Sequence, residues 1–358
     1  MHVEIINNIQ DFEKMKTSWD AVYDADPEAQ FFVSWVWLSG WLRGAQNWFI
    51  LSAKQNSDPS SPPVAFFPLR FRMTKTKNGE TRKEIAMACN RSADYTGFLC
   101  VPRFRNEAIA SFAKFLRKLS WDDLHLENLL SSNERTHLLL RNFVSKEFEI
   151  KQRKIVNVKG EVDNYICPFV DLPDDWECYL NTLGSNTRAK IRRFLRKIDD
   201  SGEFNITHAE LSTFEEHINI VLRLWAERWA ERKGDNLNGI VNIQRVMLLH
   251  CAKNGRLFLP ILWQNGAPIG ALASLIDPKK RSLLFFIGAR DTTVKNPPPA
   301  FVLHAHSIRY AIKNGFRTYD FLRGNEPYKY LFGAREREIR YIIVTRRGQQ
   351  SMPRLPQK

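Results

Sequence analysis

Residues 318–333 read TYDFLRGNEPYKYLFG, and five side chains in this stretch could do chemistry: Asp320, Arg323, Glu326, Tyr328 and Lys329. Two carboxylates offer bases or acceptor-orienting groups, the phenol offers a proton, and two cations offer charge to a developing anion. Lys329 is the first choice for a catalytic group and Asp320 the second. Arg323 could instead pair with Asp320 or bind an anionic substrate. The plain alternative is a solvated loop with a local ion pair, because structural charge networks gather the same residue types.

The backbone pattern around these groups favours a site. Residues 318–321 read as a short strand, Gly324-Asn325 as a tight turn and Glu326-Pro327 as a helical first turn. Open α/β sheets place ligands where strands end and helices begin. A second junction of this kind is KNPPPAFVLHAH, where a helix opening at Pro299 aims free N–H groups at an anion. Proline has no N–H, which leaves Ala300, Phe301, Val302 and Leu303 as donors, with Arg290 and Lys295 adding charge.

A third candidate is the segment NTRAKIRRFLRKI. Ile191, Phe194, Leu195 and Ile198 form one apolar stripe, and Arg188, Lys190, Arg192, Arg193, Arg196 and Lys197 take the other surface without an acid among them. Such a face suits the phosphates of a ligand or an RNA, or an anionic bilayer; a solvated charged face is the alternative. His304 and His306 lie two apart on the same helical segment and face away from each other, so no metal pair is expected there. The five cysteines (Cys89, Cys100, Cys167, Cys178, Cys251) are odd in number and have no CxxC spacing, which reads as reduced thiols and no zinc site.

The elements that must position these groups follow from periodicity. Phe31, Trp35, Leu38, Trp41 and Leu42 fall at helical spacing, and strands are expected over 48–53, 64–70, 83–88 and 123–129. Helices are expected over 107–119 and 134–144. In the second half a strand over ICPFVDLP is followed by a helix opening at Asp174 and by the basic helix, capped by Ser185. Long helices cover 214–232 and 241–252, with Trp225 and Trp229 at i and i+4, as core packing or as an aromatic wall to a cleft. Strands over 256–263, 267–276 and 282–287 come next, the first two joined by Asn265-Gly266, a type I′ hairpin signal. A helix over 299–313 stops at Asn314-Gly315, and a strand over 340–344 closes the second half. The boundary between halves is placed over 159–168.

DFLRGNEPYKYLFG resembles the C-terminal signature of the CelD/BcsL-type proteins, whose BioF2-like acetyltransferase domain belongs to the GNAT superfamily. Its YKYLFG portion is also similar to the FKxxFG element of the Fem aminoacyl transferases, a related set of double-GNAT proteins. FFVSWVWLSGWL, ADYTGFL, LPDDWECYLNTLGSNTRAKIRRFLRKI, LWAERWAERKGDN and GRLFLPILWQNGAPIGALASLI extend the resemblance over residues 31–333. It implies an α/β (α+β) tandem double-GNAT fold, each half a mixed, mostly antiparallel sheet flanked by helices. Residues 1–163 would be a degenerate GNAT-like domain and 164–358 the acyltransferase domain.

The activity implied is direct transfer of an acyl (acetyl) group from acyl-CoA to an amine or hydroxyl acceptor, in a ternary complex held in a cleft between the halves. CelD-type relatives imply an acceptor of polysaccharide or cell-envelope synthesis. The acyl-CoA pyrophosphate would sit at the turn before Ala300, with Arg192 and Arg193 of the basic helix as further contacts. Here the chain departs from its relatives: the glycine-rich loop is absent, and Pro299-Ala300 stands where they read Pro-Gly. Lys329 matches the lysine of the Fem element, while Phe332 and Gly333 match it as structural residues. A second reading takes aminoacyl-tRNA as donor, favoured by YKYLFG and the basic helix. A third is a non-catalytic GNAT scaffold binding an anionic partner, favoured by Ala300.

Composition bounds these readings. The 358 residues carry a net charge of +14, and 44% are hydrophobic and 12% aromatic, enough for sizeable cores. A pI near 9.6 calls for an anionic partner, such as acyl-CoA, tRNA or a membrane surface, without stable DNA binding. The first sixteen residues place acids early and have no apolar core, and no window reaches the roughly 20 apolar residues of a membrane span, so a soluble cytoplasmic protein is expected.

Overall fold

In the computed structural model, which describes residues 1–76, 78–90, 92–154 and 162–348 and all their side chains but 232 and 233, contacts group the chain into two units. The first opens with β1 (His2–Ile6), α1 (Ile9–Lys14), α2 (Lys16–Ala25) and α3 (Trp35–Leu42). Next come β2 (Trp48–Lys54), β3 (Pro63–Lys75), β4 (Thr81–Met87) and the short β5 (Leu99–Cys100). The unit continues with α4 (Arg105–Lys118), β6 (Asp123–Leu129), α5 (Asn133–Leu140) and β7 (Phe148–Arg153). Residues 63–69 of β3 are buried at every position, as a strand covered on both faces requires. One face of α4 (Ala108, Ile109, Phe112, Ala113, Leu116) packs into the same core. Asp26, buried at the end of α2, takes the Arg135 guanidinium at 2.9 Å and the Cys100 amide at 2.8 Å.

The second unit begins with β8 (Ile166–Asp171), α6 (Trp176–Thr182), α7 (Ser185–Asp200) and β9 (Phe204–His208). The long pair α8 (Phe214–Lys233) and α9 (Leu237–Lys253) leads to β10 (Leu257–Phe258), β11 (Pro260–Gln264), β12 (Ala267–Asp277) and β13 (Ser282–Arg290). Then follow α10 (Pro299–Lys313), β14 (Thr318–Asp320), α11 (Pro327–Tyr330) and β15 (Arg335–Glu338). The last strand is β16 (Arg340–Arg346).

The described residues thus form two eight-stranded, mostly antiparallel sheets with eleven α-helices, a mixed α/β fold. The first sheet runs β1-β2-β3-β4-β6-β16-β7, with β5 on β3; the second runs β15-β8-β14-β13-β12-β11-β9, with β10 on β12. Each holds one parallel strand pair, β4 with β6 and β13 with β14. A helix, α4 or α10, bridges each pair, because parallel neighbours need a crossover. Both units therefore repeat one plan without repeating a sequence.

Several expectations change. The closing strand over 340–344 does not complete the second half: β16 lies in the first sheet between β6 and β7, with Ile342 and Val344 in the first unit's core. The strand over 256–263 is two strands, β10 and β11, interrupted at Leu259. Gly184, not Ser185, takes the N-cap position of α7, without a side-chain bond, and Asp175 rather than Asp174 caps α6 through the Cys178 amide. The expected boundary over 159–168 begins outside the described residues. The Asn265-Gly266 hairpin has positive φ at both positions, 49° and 80°, as a type I′ turn demands. Among the described residues no helix is long and apolar enough to cross a membrane.

Candidate active site

The parallel pairing of β13 with β14 covers only Ser282–Leu284 against Thr318–Asp320. β13 runs on to Arg290, still paired with β12 on its other side. Beyond Leu284 the β13 edge is therefore open, and a cavity of about 240 Å³ lies there. Phe285, Gly288, Ala289 and Arg290 of β13 line it, with Leu272 of β12. Pro298, Ala300, Phe301 and His304 line it from the start of α10, Arg228 from α8, and Tyr328 from α11. Gly270 lets α10 approach the sheet: a Cβ there would lie 2.8 Å from the Cβ of Pro299 and 3.2 Å from Leu303.

The first turn of α10 supplies fewer donors than its sequence suggests. Val302 N–H already donates to Pro298 at 3.2 Å, and Leu303 lies one residue deeper in the helix, fully buried. A helix leaves its first four N–H groups free; here two belong to Pro298 and Pro299, so Ala300 and Phe301 alone present donors. Both line the cavity. Lys295 is exposed in the preceding loop. On α7, Arg192 pairs with Glu177 in a separate groove and Arg193 stacks over Phe194, whose ring lies 6.0 Å from Phe301. The basic helix thus runs beside the opening of α10.

His304 follows Ala300 by four residues and so shares its face. Its Nδ1 lies 2.9 Å from the Tyr319 hydroxyl. Burial, with the Lys329 ammonium nearby, lowers its pKa to about 3 and keeps the imidazole neutral. The Tyr328 ring packs 5.4 Å from that of His304. Tyr328 is about a third exposed as a residue, yet burial dominates the titration of its hydroxyl. Burial and then Glu326 push the phenol up, against Arg228 and Arg290, so it stays protonated.

The other groups of the 318–333 junction build the turn that carries Tyr328. Lys329 is 2% exposed, and its ammonium donates to the carbonyls of Phe321 (3.1 Å), Arg323 (2.9 Å) and Gly324 (2.8 Å). It also pairs with Glu326 at 2.9 Å. Asp320 accepts from the Leu322 amide at 2.9 Å and pairs with Arg337. Leu322 sits at φ 57°, left-handed backbone that disfavours a branched side chain, and these two clamps hold it there. Of the five junction residues only Tyr328 lines the cavity. Lys329, Asp320, Glu326 and Arg323 are joined to its floor through the backbone.

Sequence reasoning missed His304, Phe285 and Arg228. The signal that points to His304 is its four-residue step from Ala300, which puts both on one face of the helix. His306 does point elsewhere, with Nε2 2.7 Å from Nε2 of His208. In the first unit Glu84, Asp123 and His125 bring metal-ligand atoms within 4.8 Å of one another. Arg72 and Thr74 hold Glu84, and Arg82 and Thr345 hold Asp123, so the carboxylates already have donors and do not suit a cation. Cys89 is buried, and its thiol is pushed well above the usual range.

Residues 185–330 match the family model of the acetyltransferase (GNAT) domain. No curated protein matches the chain. Among solved structures, FemX superposes with a TM-score of 0.64 at 11% identity, covering 95% of this chain and 96% of FemX. A conserved protein of unknown function from Bacteroides thetaiotaomicron reaches 0.54 at 9% identity, over 96% of this chain and 100% of that one. A tandem GNAT protein from the clavulanic acid biosynthesis pathway reaches 0.51 at 9% identity, over 98% and 100%. Identities this low establish a shared fold, the tandem GNAT arrangement.

Proposed function

We propose, from the premise that this chain is a GNAT-superfamily acyltransferase, that acyl transfer takes place in the cavity where β14 leaves β13. The observation that carries the reading is that one small cavity collects the free N–H groups of α10, a protonated Tyr328 and a neutral His304. The donor is an acyl-CoA whose phosphates lie at Ala300, Phe301 and Lys295, beside the basic face of α7. Ala300 itself is part of the lining, and its amide and that of Phe301 remain available. The acceptor is an amine or hydroxyl; the resemblance to CelD/BcsL-type proteins supports one from polysaccharide or cell-envelope synthesis.

With an amine, the nitrogen lone pair attacks the thioester carbonyl carbon, a C–N bond forms and the C–S bond breaks. One proton passes from nitrogen to sulfur. Tyr328 gives its proton to the departing thiolate and is restored by the proton the nitrogen loses. Lys329, Asp320, Glu326 and Arg323 hold the turn that sets Tyr328 in place. The test is release of free CoA from acetyl-CoA with a panel of amines and sugars. Tyr328→Phe should lower kcat on the order of a hundredfold, at the lower end of general-acid effects, while CoA binding persists. Unchanged kcat would remove Tyr328 from the chemistry.

An aminoacyl-tRNA donor is the second reading, favoured by the six arginines and lysines between Arg188 and Lys197 on α7, the helix whose Phe194 packs against Phe301 at the opening of α10. It requires stabilisation by tRNA that declines steeply with salt. Stabilisation by acetyl-CoA that survives moderate salt would exclude it.

A further inference from the structure

Among the described residues, the charged side chains that line the cavity are both arginines, Arg228 and Arg290. Neutral acetyl transfer asks for neither. Arg290 has a buried Nε without a hydrogen-bond partner. Glu326, which acts on the Tyr328 hydroxyl, is paired with Lys329 at 2.9 Å, and Asp291, next to Arg290 in sequence, accepts from the amide and hydroxyl of Thr293 at 2.8 and 2.6 Å. The Ala300 and Phe301 amides add the positive end of a fifteen-residue helix. Leu272, Phe285 and Phe301 make the rest of the wall apolar. The cavity therefore joins a planar cationic fork to a short greasy channel of about 240 Å³.

We propose that the substrate group entering this cavity is a short chain ending in a carboxylate, held by Arg290 with Arg228 beside it. This rests on the acyl-transfer reading and adds its substrate class. A guanidinium matches a carboxylate through two parallel hydrogen bonds, and it is the side chain suited to a partly buried ion pair. Phosphate recognition fits the place less well. Phosphates need room and water, and the exposed cations that suit them stand outside, on Lys295 and α7. Two sources share the chemistry: the donor's acyl group, if dicarboxylic, or the acceptor, if an amino acid.

Matched probes separate these sources and test the idea on the wild-type protein. Calorimetric titration compares succinyl-CoA with butyryl-CoA, and, with CoA present, L-alanine with ethylamine, all at fixed ionic strength. One charged member should bind at least tenfold tighter than its neutral partner, and Arg290→Gln should erase that ratio while leaving the neutral partner's affinity within twofold. A preference in the first pair assigns the carboxylate to the donor, and in the second to the acceptor. Equal binding within both pairs overturns the carboxylate site and leaves the acyl-transfer reading standing. A ratio that survives both Arg290→Gln and Arg228→Gln also overturns it. Arg290→Gln weakening all CoA probes alike would make Arg290 a phosphate contact and overturn it. If no probe binds, the acyl-CoA reading fails together with the carboxylate site.

Discussion

Replacing Lys329 by methionine separates a structural from a catalytic role for the residue that sequence alone ranks first. The substitution keeps the length of the stem and removes the ammonium. Three backbone carbonyls (Phe321, Arg323, Gly324) then lose a charged donor in a site where Lys329 is 2% exposed. Breaking a buried charge pair from one side costs about 3–5 kcal/mol. Glu326 is 38% exposed on its side chain and can rehydrate, which argues for the low end, about 3 kcal/mol. The left-handed Leu322 points the same way, because backbone strain on the order of 1–3 kcal/mol persists only while its surroundings enforce it. For a unit of this size 1 kcal/mol moves Tm by roughly 2–4 °C, so Tm should fall by roughly 6–12 °C for a loss of about 3 kcal/mol. Calorimetry measures this, and acyl transfer assayed well below the new Tm should retain a measurable rate. Loss of turnover with Tm unchanged would refute the clamp and return Lys329 to the reacting atoms.

The neutral His304 predicts acid sensitivity. Its pKa of about 3 lies below the ordinary 6.5, so the unfolded chain binds the extra proton first. Its contribution is complete above pH 6.5 and is lost as pH falls toward 3. Denaturant titrations should show about 2 kcal/mol lost between pH 7 and 5 from this group, and His304→Gln should remove that share of the slope. Gly270→Ala should push the start of α10 off the sheet, because the new methyl meets Pro299 at 2.8 Å; a loss of about 1–3 kcal/mol by denaturation and weaker CoA binding are expected. Arg135→Met should destabilise the first unit by about 3–5 kcal/mol, since it strands the carboxylate of Asp26, 1% exposed. A Tm unchanged by that substitution would show that the pair adds nothing.

Local features were legible in the chain. The strand over Asp123–Leu129 and the helix over Pro299–Lys313 lie where periodicity and stop signals put them, because hydrophobic alternation, proline at a helix start and Asn-Gly after its end act over a few residues. A GNAT domain was legible too, in the motifs that fall within residues 185–330. The identity of the cavity residues was not. Tyr328 and Lys329 are adjacent in sequence, yet one helical residue turns the next side chain by about 100°, so one lines the cavity while the other locks the turn. Arg228 comes from a helix about a hundred residues upstream of Tyr328, and His304 joins them only because α10 crosses back over the sheet. The strand β16 shows the same limit: its apolar run Tyr341–Val344, buried at every position, specifies a covered strand, and only the packed molecule decides which sheet takes it. Periodicity sets how a segment folds, whereas the place where β13 and β14 part is set by the register between distant segments, and the cavity lies in that gap.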